Sequence, residues 1–508
     1  MRAWAAFPRD RDPPREHDRL TVWCVSCAAR YRRTTTKEGL CRHLWRHREE
    51  VAVLLRFQVT NHASIRDEQE ISFVAGDDRP QRAQQPVPGT RLSAVPVAAV
   101  YGANASGKSN VVSALAWMRA AVLDSFRHWD PAGGVPRKPF RLRPDPAAHP
   151  STYELDLVVD GVRYEYGFTV DDESVREEWL SYFPEGKRRK LYVRTGSGPD
   201  SLTFGRSLTG RRKTISELLR PNALYLSIAA AQNHELLGRL HRWFRDGLRT
   251  ASDRDYQARL NYTVGLLHSR DSRSRAALLD LLRFADLGVS KLEFREPDER
   301  LLDETERIEA ALNDLGVSFR VNVPDYHVRV QHRTEGGTFA LELDEESSGT
   351  RTWIGMLGPV LLTLGSGGAL VVDELDARLH PYLADALVGM FQSPDINRYG
   401  AQLLFTTHEA SLLGSNARTQ LFRDQIWFTE KDPDTLGTRL FPITDFYVRD
   451  SPDAKDNLEK RYLSGRYGAL PFLDDELLRR MADDIAGGGV SGAGQAVEAG
   501  RSEAAGAA

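Results

Sequence analysis

Cysteine is almost missing from this chain: three residues in 508, at Cys24, Cys27 and Cys41. An odd count confined to the first fifty positions excludes a disulfide scaffold and fits a reducing, cytoplasmic setting. Charge of one sign is also missing. With 68 basic and 71 acidic residues the formal net charge is −3, so a nucleic-acid partner would need a local basic patch, not a global field. No apolar leader precedes Arg19, which points away from a secretory signal. No long hydrophobic run survives inspection either. The most apolar stretch, 352–372, carries no charge but is interrupted by Pro359 and by Gly365-Ser366-Gly367-Gly368. It reads as a helix, a turn and a short strand, and no membrane span is expected. Internal repeats and heptad runs of coiled-coil length are absent too.

What is present is an ordinary globular composition, 41% hydrophobic and 27% charged, in a chain long enough for more than one compact unit. Residues 1–50 form a polar, Arg-rich, Cys/His-containing extension. Apolar runs at 54–59, 70–74 and 95–101 read as strands, the third buried on both faces, and a periodic helix follows from Ser109 to about Phe126. Between 151 and 194 alternating runs around Asp160-Gly161 predict an antiparallel meander. Residues 214–318 read as a helical lobe, with helices expected at 234–248, 274–287 and 301–315. A hairpin is predicted from 319–330 and 338–343, then a helix, a strand at 369–372, a helix over 380–391 and a strand at 402–406. The expected boundaries are therefore 1–50, 51–213, 214–318, 319–480 and a disordered tail at 481–508, whose last residues are mostly Gly, Ala, Ser and Glu.

Gly102-Ala103-Asn104-Ala105-Ser106-Gly107-Lys108-Ser109 matches the phosphate-binding pattern G-x-x-x-x-G-K-[ST] at every fixed position, between a predicted strand and a predicted helix. The glycines allow backbone N–H groups to turn toward phosphates, and the helix, continuing through Asn110, presents its positive end. Lys108 is expected to reach the β- and γ-phosphates of ATP and Ser109 to hold Mg²⁺. The strand 369–372 ends in Asp373-Glu374, two carboxylates at the carboxyl edge of a parallel sheet, where ligands bind. Asp373 is suited to orient Mg²⁺ and Glu374 to act as general base toward water.

These residues lead to a resemblance. Ser347-Ser348-Gly349-Thr350 precedes Asp373 at the start of a helix, and Thr406-Thr407-His408 follows the next strand. In that order the chain resembles ABC-type ATPases: an α/β P-loop NTPase with a mixed β-sheet core flanked by helices, an antiparallel β subdomain and a helical lobe. The opening strand with Asn61 and Arg66-Asp67 looks like the RecF/SMC/OLD branch. The segments 425–431 and 462–469 resemble stand-alone bacterial abortive-infection and phage-defence ATPases of the RloA-like kind.

The resemblance implies a head-to-tail homodimer with ATP sandwiched between copies. In it Ser347, Ser348 and Gly349 of one subunit face the nucleotide held by Lys108 of the other, and His408 contacts the γ-phosphate in cis. It implies Gln232, after a strand-like 224–227, as a candidate coupling Mg²⁺ to the helical lobe; an ordinary polar loop glutamine is the alternative. Two departures stand out: Ser348 replaces a signature glycine, and His380 lies where many transporters have Asp. The 100 residues after His408 offer no convincing set of clustered acids for a two-metal nuclease site, so any toxic effector is expected to be a separate protein; a RecF/SMC-like DNA-repair or DNA-binding ATPase and an OLD-like nuclease-associated subunit stay as alternatives.

The extension holds a second pattern. Cys24, Cys27, His43 and His47 approximate a C-x2-C…H-x3-H zinc site, with Cys41 an equally compatible ligand. The other reading is an extension with no metal and no fixed structure. Both stay open at this point.

Overall fold

The computed structural model describes residues 52–76, 84–252, 255–268, 272–285, 287–295, 307, 327–414, 417–446, 458–470 and 475–486. Two units divide the chain, Met1–Ala469 and Leu470–Ala508. In the first, strands β1 (Ala52–Thr60), β2 (Gln69–Ser72) and β3 (Val97–Gly102) lead into helix α1 (Lys108–Asp124). The meander follows as β4 (Ser151–Val159), β5 (Val162–Val170), β6 (Val175–Phe183), β7 (Arg189–Thr195) and the short β8 (Leu202–Phe204). Helices α2 (Tyr225–Ala231) and α3 (Glu235–Arg242) precede β9 (Leu248–Ala251), and α4 (Tyr256–His268) and α5 (Ser272–Phe284) precede β10 (Val289–Arg295). Then come β11 (His327–Thr334), β12 (Gly337–Glu342), α6 (Ser348–Ser366), β13 (Ala369–Val372), α7 (Pro381–Gln392), β14 (Gln402–Thr406), β15 (Ile426–Lys431), β16 (Thr438–Pro442) and α8 (Leu458–Leu463). The second unit contributes one described helix, α9 (Asp475–Ala486).

Six strands form the core sheet in the order β9-β13-β14-β3-β15-β16. All neighbours are parallel except the last pair. Every residue of β3, β13 and β14 is buried, as expected of parallel strands covered on both faces. A seven-stranded antiparallel sheet, β8-β7-β6-β5-β4-β1-β2, forms the second layer. Helix α1 lies between the layers. Its Trp117 ring stacks on Tyr153 of β4 at 4.6 Å, and its apolar face shares one continuous core with both sheets. Gln402 joins the layers directly: its side-chain carbonyl accepts from the Leu54 N–H at 2.7 Å, and its amide donates to the Leu54 carbonyl at 2.9 Å. The two bonds occur beside a register shift between Leu54 and Arg56, so a side chain satisfies backbone that would otherwise be buried without partners.

Residues 224–227, read from sequence as strand-like, open helix α2 instead. The buried Glu178 carboxylate accepts the N–H groups of Tyr225 at 2.6 Å and Leu226 at 3.0 Å, and also the Tyr192 hydroxyl at 2.7 Å. An anion at free helical N–H groups favours the helix, so tertiary context overrides the β-prone composition.

The segment 214–318 is likewise not one helical lobe. Helices α2 and α3 share the core of the meander, a π-turn at Trp243–Gly247 ends the helix expected to reach Leu248, and β9 then becomes an edge strand of the core sheet. Only from Tyr256 does the chain build the helical side, where α4 lies against α6. Close approach is possible because Gly358 has no side chain: its N–H donates to the Thr263 hydroxyl at 3.0 Å, and a Cβ there would collide with that hydroxyl. Helix α6 runs continuously through Pro359 and stops at Gly367. No helix among the described residues is long and apolar enough to cross a membrane. Apart from residue 307, the helix expected at 301–315 lies outside the described residues, as do the first part of the hairpin at 319–326 and the Cys/His extension; of the tail expected to be disordered over 481–508, residues 481–486 belong to helix α9 and the rest lie outside the described residues.

His62 pins α1 to the meander. Its Nδ1 lies 2.8 Å from the Tyr153 hydroxyl and its Nε2 3.1 Å from the Ser113 hydroxyl. Burial, reinforced by Lys138, pushes its pKa down to about 4. The folded state therefore holds a neutral imidazole that the unfolded chain would protonate below about pH 6.5. Stability contributed by this group is complete above that value and declines as pH falls toward 4, by about 1.4 kcal/mol per pH unit. Urea midpoints measured from pH 7 to pH 4.5 should fall more steeply in the wild type than in His62→Gln. Parallel profiles would remove His62 as the cause.

Candidate active site

Strand β3 delivers the phosphate-binding loop to the carboxyl edge of the core sheet. Gly107 has φ +110° and Gly102 φ +156°, and a Cβ at either would run into the hydroxyls of Thr438 and Thr429 respectively. Glycine is therefore required both by conformation and by close approach. Hydroxyls support the loop from below: Ser106 and Thr429 lie 2.6 Å apart, and the Thr438 hydroxyl donates to the Ser106 carbonyl at 2.9 Å and lies 2.6 Å from the Ser64 hydroxyl. The Asn110 amide donates to Ser64 at 2.6 Å, which ties the start of α1 to the β1–β2 connection.

Lys108 is 5% exposed. Its ammonium donates to the carbonyls of Gly102 at 2.8 Å and Ala103 at 3.0 Å and lies 3.3 Å from His408 Nδ1. Burial lowers its pKa, opposed by the nearby carboxylates of Glu374, Asp376 and Asp373. A cation thus sits among three acids at the sheet edge, the charge arrangement that phosphates and a divalent ion would complete.

Asp373 and Glu374 follow β13 directly, and Thr406 at the end of β14 organises both. Its hydroxyl donates to Asp373 Oδ1 at 2.7 Å and accepts the Glu374 N–H at 2.7 Å. Glu374 adopts φ +53° and is exposed. A left-handed non-glycine residue of this kind stores strain, a feature that concentrates at functional sites. Asp376 accepts the His408 N–H at 3.2 Å, fixing the start of the loop that carries the imidazole. Lys108, Asp373, Glu374 and His408 are therefore assembled in one protomer, as the sequence suggests. The Ser109 hydroxyl is placed by the first turn of α1. A hydroxyl and a carboxylate are hard oxygen donors of the kind Mg²⁺ takes, so Ser109 and Asp373 fit that ion.

The signature segment opens helix α6. Ser347 caps α6, its hydroxyl accepting the Thr350 N–H at 3.0 Å, and Ser347 and Ser348 are exposed. Gly349 lies against the loop after Glu374: a Cβ there would stand 2.9 Å from the Arg378 carbonyl. His380 is an N-cap, accepting the Tyr382 N–H at 3.2 Å.

Gln232 is a correction. It is the exposed C-cap of α2, and α2 is anchored by Leu224 and Ser227 to Ser125 and Phe126 beyond the far end of α1. The place beside Asp373 at the sheet edge belongs to the end of β9, where the Ala251 carbonyl accepts the Asp373 N–H. The reason is the strand assignment: β9, not 224–227, neighbours β13.

Sequence reading assigned no role to Thr406 hydroxyl, Asp376, Ser64, Thr429 or Thr438. Thr406 lies within the Thr406-Thr407-His408 motif, Asp376 just after the acid pair and Thr429 within the segment 425–431, whereas Ser64 and Thr438 come from segments far apart in the chain.

Strand order, loop and acid pair together define a P-loop NTPase of the ABC-ATPase type. The chain belongs to the family described as "AAA domain, putative AbiEii toxin, Type IV TA system", which matches residues 97–414. By family and fold it is an ATP-binding ATPase. No curated protein matches it. Among solved structures it is similar to the SMC head domain from Thermotoga maritima, at 15% identity and a TM-score of 0.33, covering 78% of this chain and 99% of that one. Similarity extends to an SmcHead bound to the C-winged helix domain of ScpA, at 11% identity, TM-score 0.35, and coverage of 77% and 97%. An Smc head domain with an extended coiled coil, bound to the C-terminal domain of ScpA derived from Pyrococcus furiosus, matches at 14% identity, TM-score 0.34, and coverage of 82% and 99%.

Replacing Thr406 by Val should leave Asp373 and the Glu374 N–H without their shared hydroxyl. Loss of such a supporting bond typically costs roughly 10- to 100-fold in activity. Steady-state ATP turnover should fall by that factor in Thr406→Val and stay within a few-fold in Thr406→Ser. Equal rates in the wild type and the Val variant would contradict the assigned geometry.

Proposed function

We propose that the protein is an ATP-driven dimerisation switch acting in phage defence by abortive infection. One observation supports the switch: Lys108, Asp373, Glu374 and His408 gather at one sheet edge, whereas the Ser347 hydroxyl is exposed, caps its own helix and, among the described residues, makes no hydrogen bond to that group. A turn rich in hydroxyl and glycine at a helix N-terminus suits an anion. Its natural ligand is the γ-phosphate held by Lys108 of a second copy.

In this reading Lys108 neutralises the β/γ-phosphates, and Ser109 and Asp373 hold Mg²⁺, which when bound offsets charge on the transferring group. Glu374 takes the proton of the attacking water, and His408, beside the lysine ammonium, orients that water and the terminal phosphate. Hydrolysis removes the group that both protomers share, so the pair separates. The family description, which names a toxin and a toxin–antitoxin system, supports a defence role. In this reading the effector is a separate protein.

Light scattering tests the switch. Glu374→Gln removes the base and keeps the phosphate contacts, so with ATP and Mg²⁺ its mass should double and remain doubled. Adding Ser347→Arg to the same variant should return it to one copy. An unchanged mass with and without ATP in Glu374→Gln would overturn the proposal.

A further inference from the structure

Two connections lie at the far edge of the antiparallel sheet, remote in sequence from every ATP-site motif. The turn after β6 carries Lys187-Arg188-Arg189-Lys190, with Arg189 and Lys190 in register opposite Tyr182 and Ser181. The Gly205 N–H donates to the Leu191 carbonyl at 2.8 Å, which sets Arg206 beside the start of β7. Arg212 then clamps the following turn, donating to the carbonyls of Gly205 at 2.8 Å and Leu208 at 2.7 Å, so Arg211 and Lys213 join the same surface. The framework is fixed further by the buried Arg194, which donates to the Ala223 carbonyl at 2.7 Å and the Gly196 carbonyl at 2.7 Å.

Lys187, Arg189, Lys190, Arg206, Arg211 and Lys213 are all exposed. Among the described residues none of the six is in an ion pair; only Arg188 is, with Glu165. In a chain whose formal net charge is −3, that is a local concentration of positive charge, with the exposed Glu185 and Glu217 the acids nearest to it in sequence. Like charges held together on a rigid support repel one another, and a polyanion relieves the repulsion while releasing its own counterions. The surrounding exposed residues Thr203, Ser207, Thr209 and Gly210 are small or hydroxylic, able to donate to phosphate oxygens. No exposed large apolar side chain occurs at 186–190 or 205–213, whereas a membrane-surface site sets such side chains beside its cations.

We propose that this edge, built from 187–190, 206 and 211–213, is a sequence-independent binding surface for the phosphate backbone of a nucleic acid. Its contacts are Lys and Arg with phosphate, so affinity depends on salt and not on base sequence. The proposal does not rest on the dimerisation switch, and its test needs no nucleotide.

Fluorescence anisotropy with a labelled DNA duplex and a labelled single-stranded RNA, both of mixed sequence, provides the test. Measured between about 50 and 200 mM salt, the wild-type affinity should fall steeply, and the triple reversal Arg189→Glu, Lys190→Glu, Arg206→Glu should bind at least about 10-fold more weakly, with a log–log salt slope shallower by about 3. The corresponding triple Ala variant should show the same loss in smaller measure, with ATP turnover and thermal midpoint unchanged in both. Whichever of the two nucleic acids binds more tightly identifies the source of the phosphates. Equal binding by wild type and both variants, absence of binding to either probe, or binding only to phosphatidylglycerol vesicles would overturn the proposal.

Discussion

A lysine ammonium that is almost entirely removed from water, at the open end of a parallel sheet, is the constraint on which the rest of this structure depends. Burial disfavours the charge of Lys108 and lowers its pKa. Two carbonyls from its own loop and the field of Glu374, Asp376 and Asp373 keep the group in place. Those partners are not a closed set. An anion that brings its own divalent counterion, as a polyphosphate with Mg²⁺ does, would complement the carbonyl dipoles and acids at this rim.

Holding that lysine requires the helix behind it to be immobile. Helix α1 is fixed on one side by the core strands and on the other by the Trp117–Tyr153 stack and the His62 bridge. Gln402 stitches β1 to β14, so the strand that ends in Thr406 and the strand that opens the chain's fold cannot shift independently. The consequence reaches the chemistry: Thr406 sets Asp373 and Glu374 together, and Asp376 sets the backbone of His408. Preorganised groups of this kind, not large motions within a protomer, are what a phosphoryl-transfer site needs. The movement in the proposed cycle is between protomers.

Much of this was readable from sequence because the signals are local. The loop 102–109, the acid pair after an apolar strand, the Asp160-Gly161 hairpin and the helix beginning at the Ser347 cap each depend on a few adjacent residues with fixed physical roles. The failures have an equally physical cause. Residues 224–227 look like a strand because they are apolar, yet a carboxylate from β6, distant in sequence, caps them into a helix. Leu248–Ala251 is too short and too polar at Arg249 and Thr250 to announce itself as a core strand, and that missed strand is what misplaced Gln232. The hydroxyls of Ser64 and Thr438 had no local signature, and the segment 425–431 gave no role to Thr429, since the roles of all three exist only where separate segments meet. The zinc reading for Cys24, Cys27, Cys41, His43 and His47 concerns residues outside those described.

In the proposed switch a complete ATP site draws on two copies of the chain, and a mixture of two defective variants distinguishes this from a site complete within one copy. Lys108→Ala lacks the phosphate contact of its own loop, and Ser347→Arg obstructs the partner's nucleotide. A heterodimer of the two has one site carrying both defects and one carrying neither. Förster transfer between the two variants, labelled separately and mixed with ATP and Mg²⁺ in a Glu374→Gln background, should appear in the mixture and be absent from either variant alone. No transfer in the mixture, or transfer within Ser347→Arg alone, would contradict the shared site.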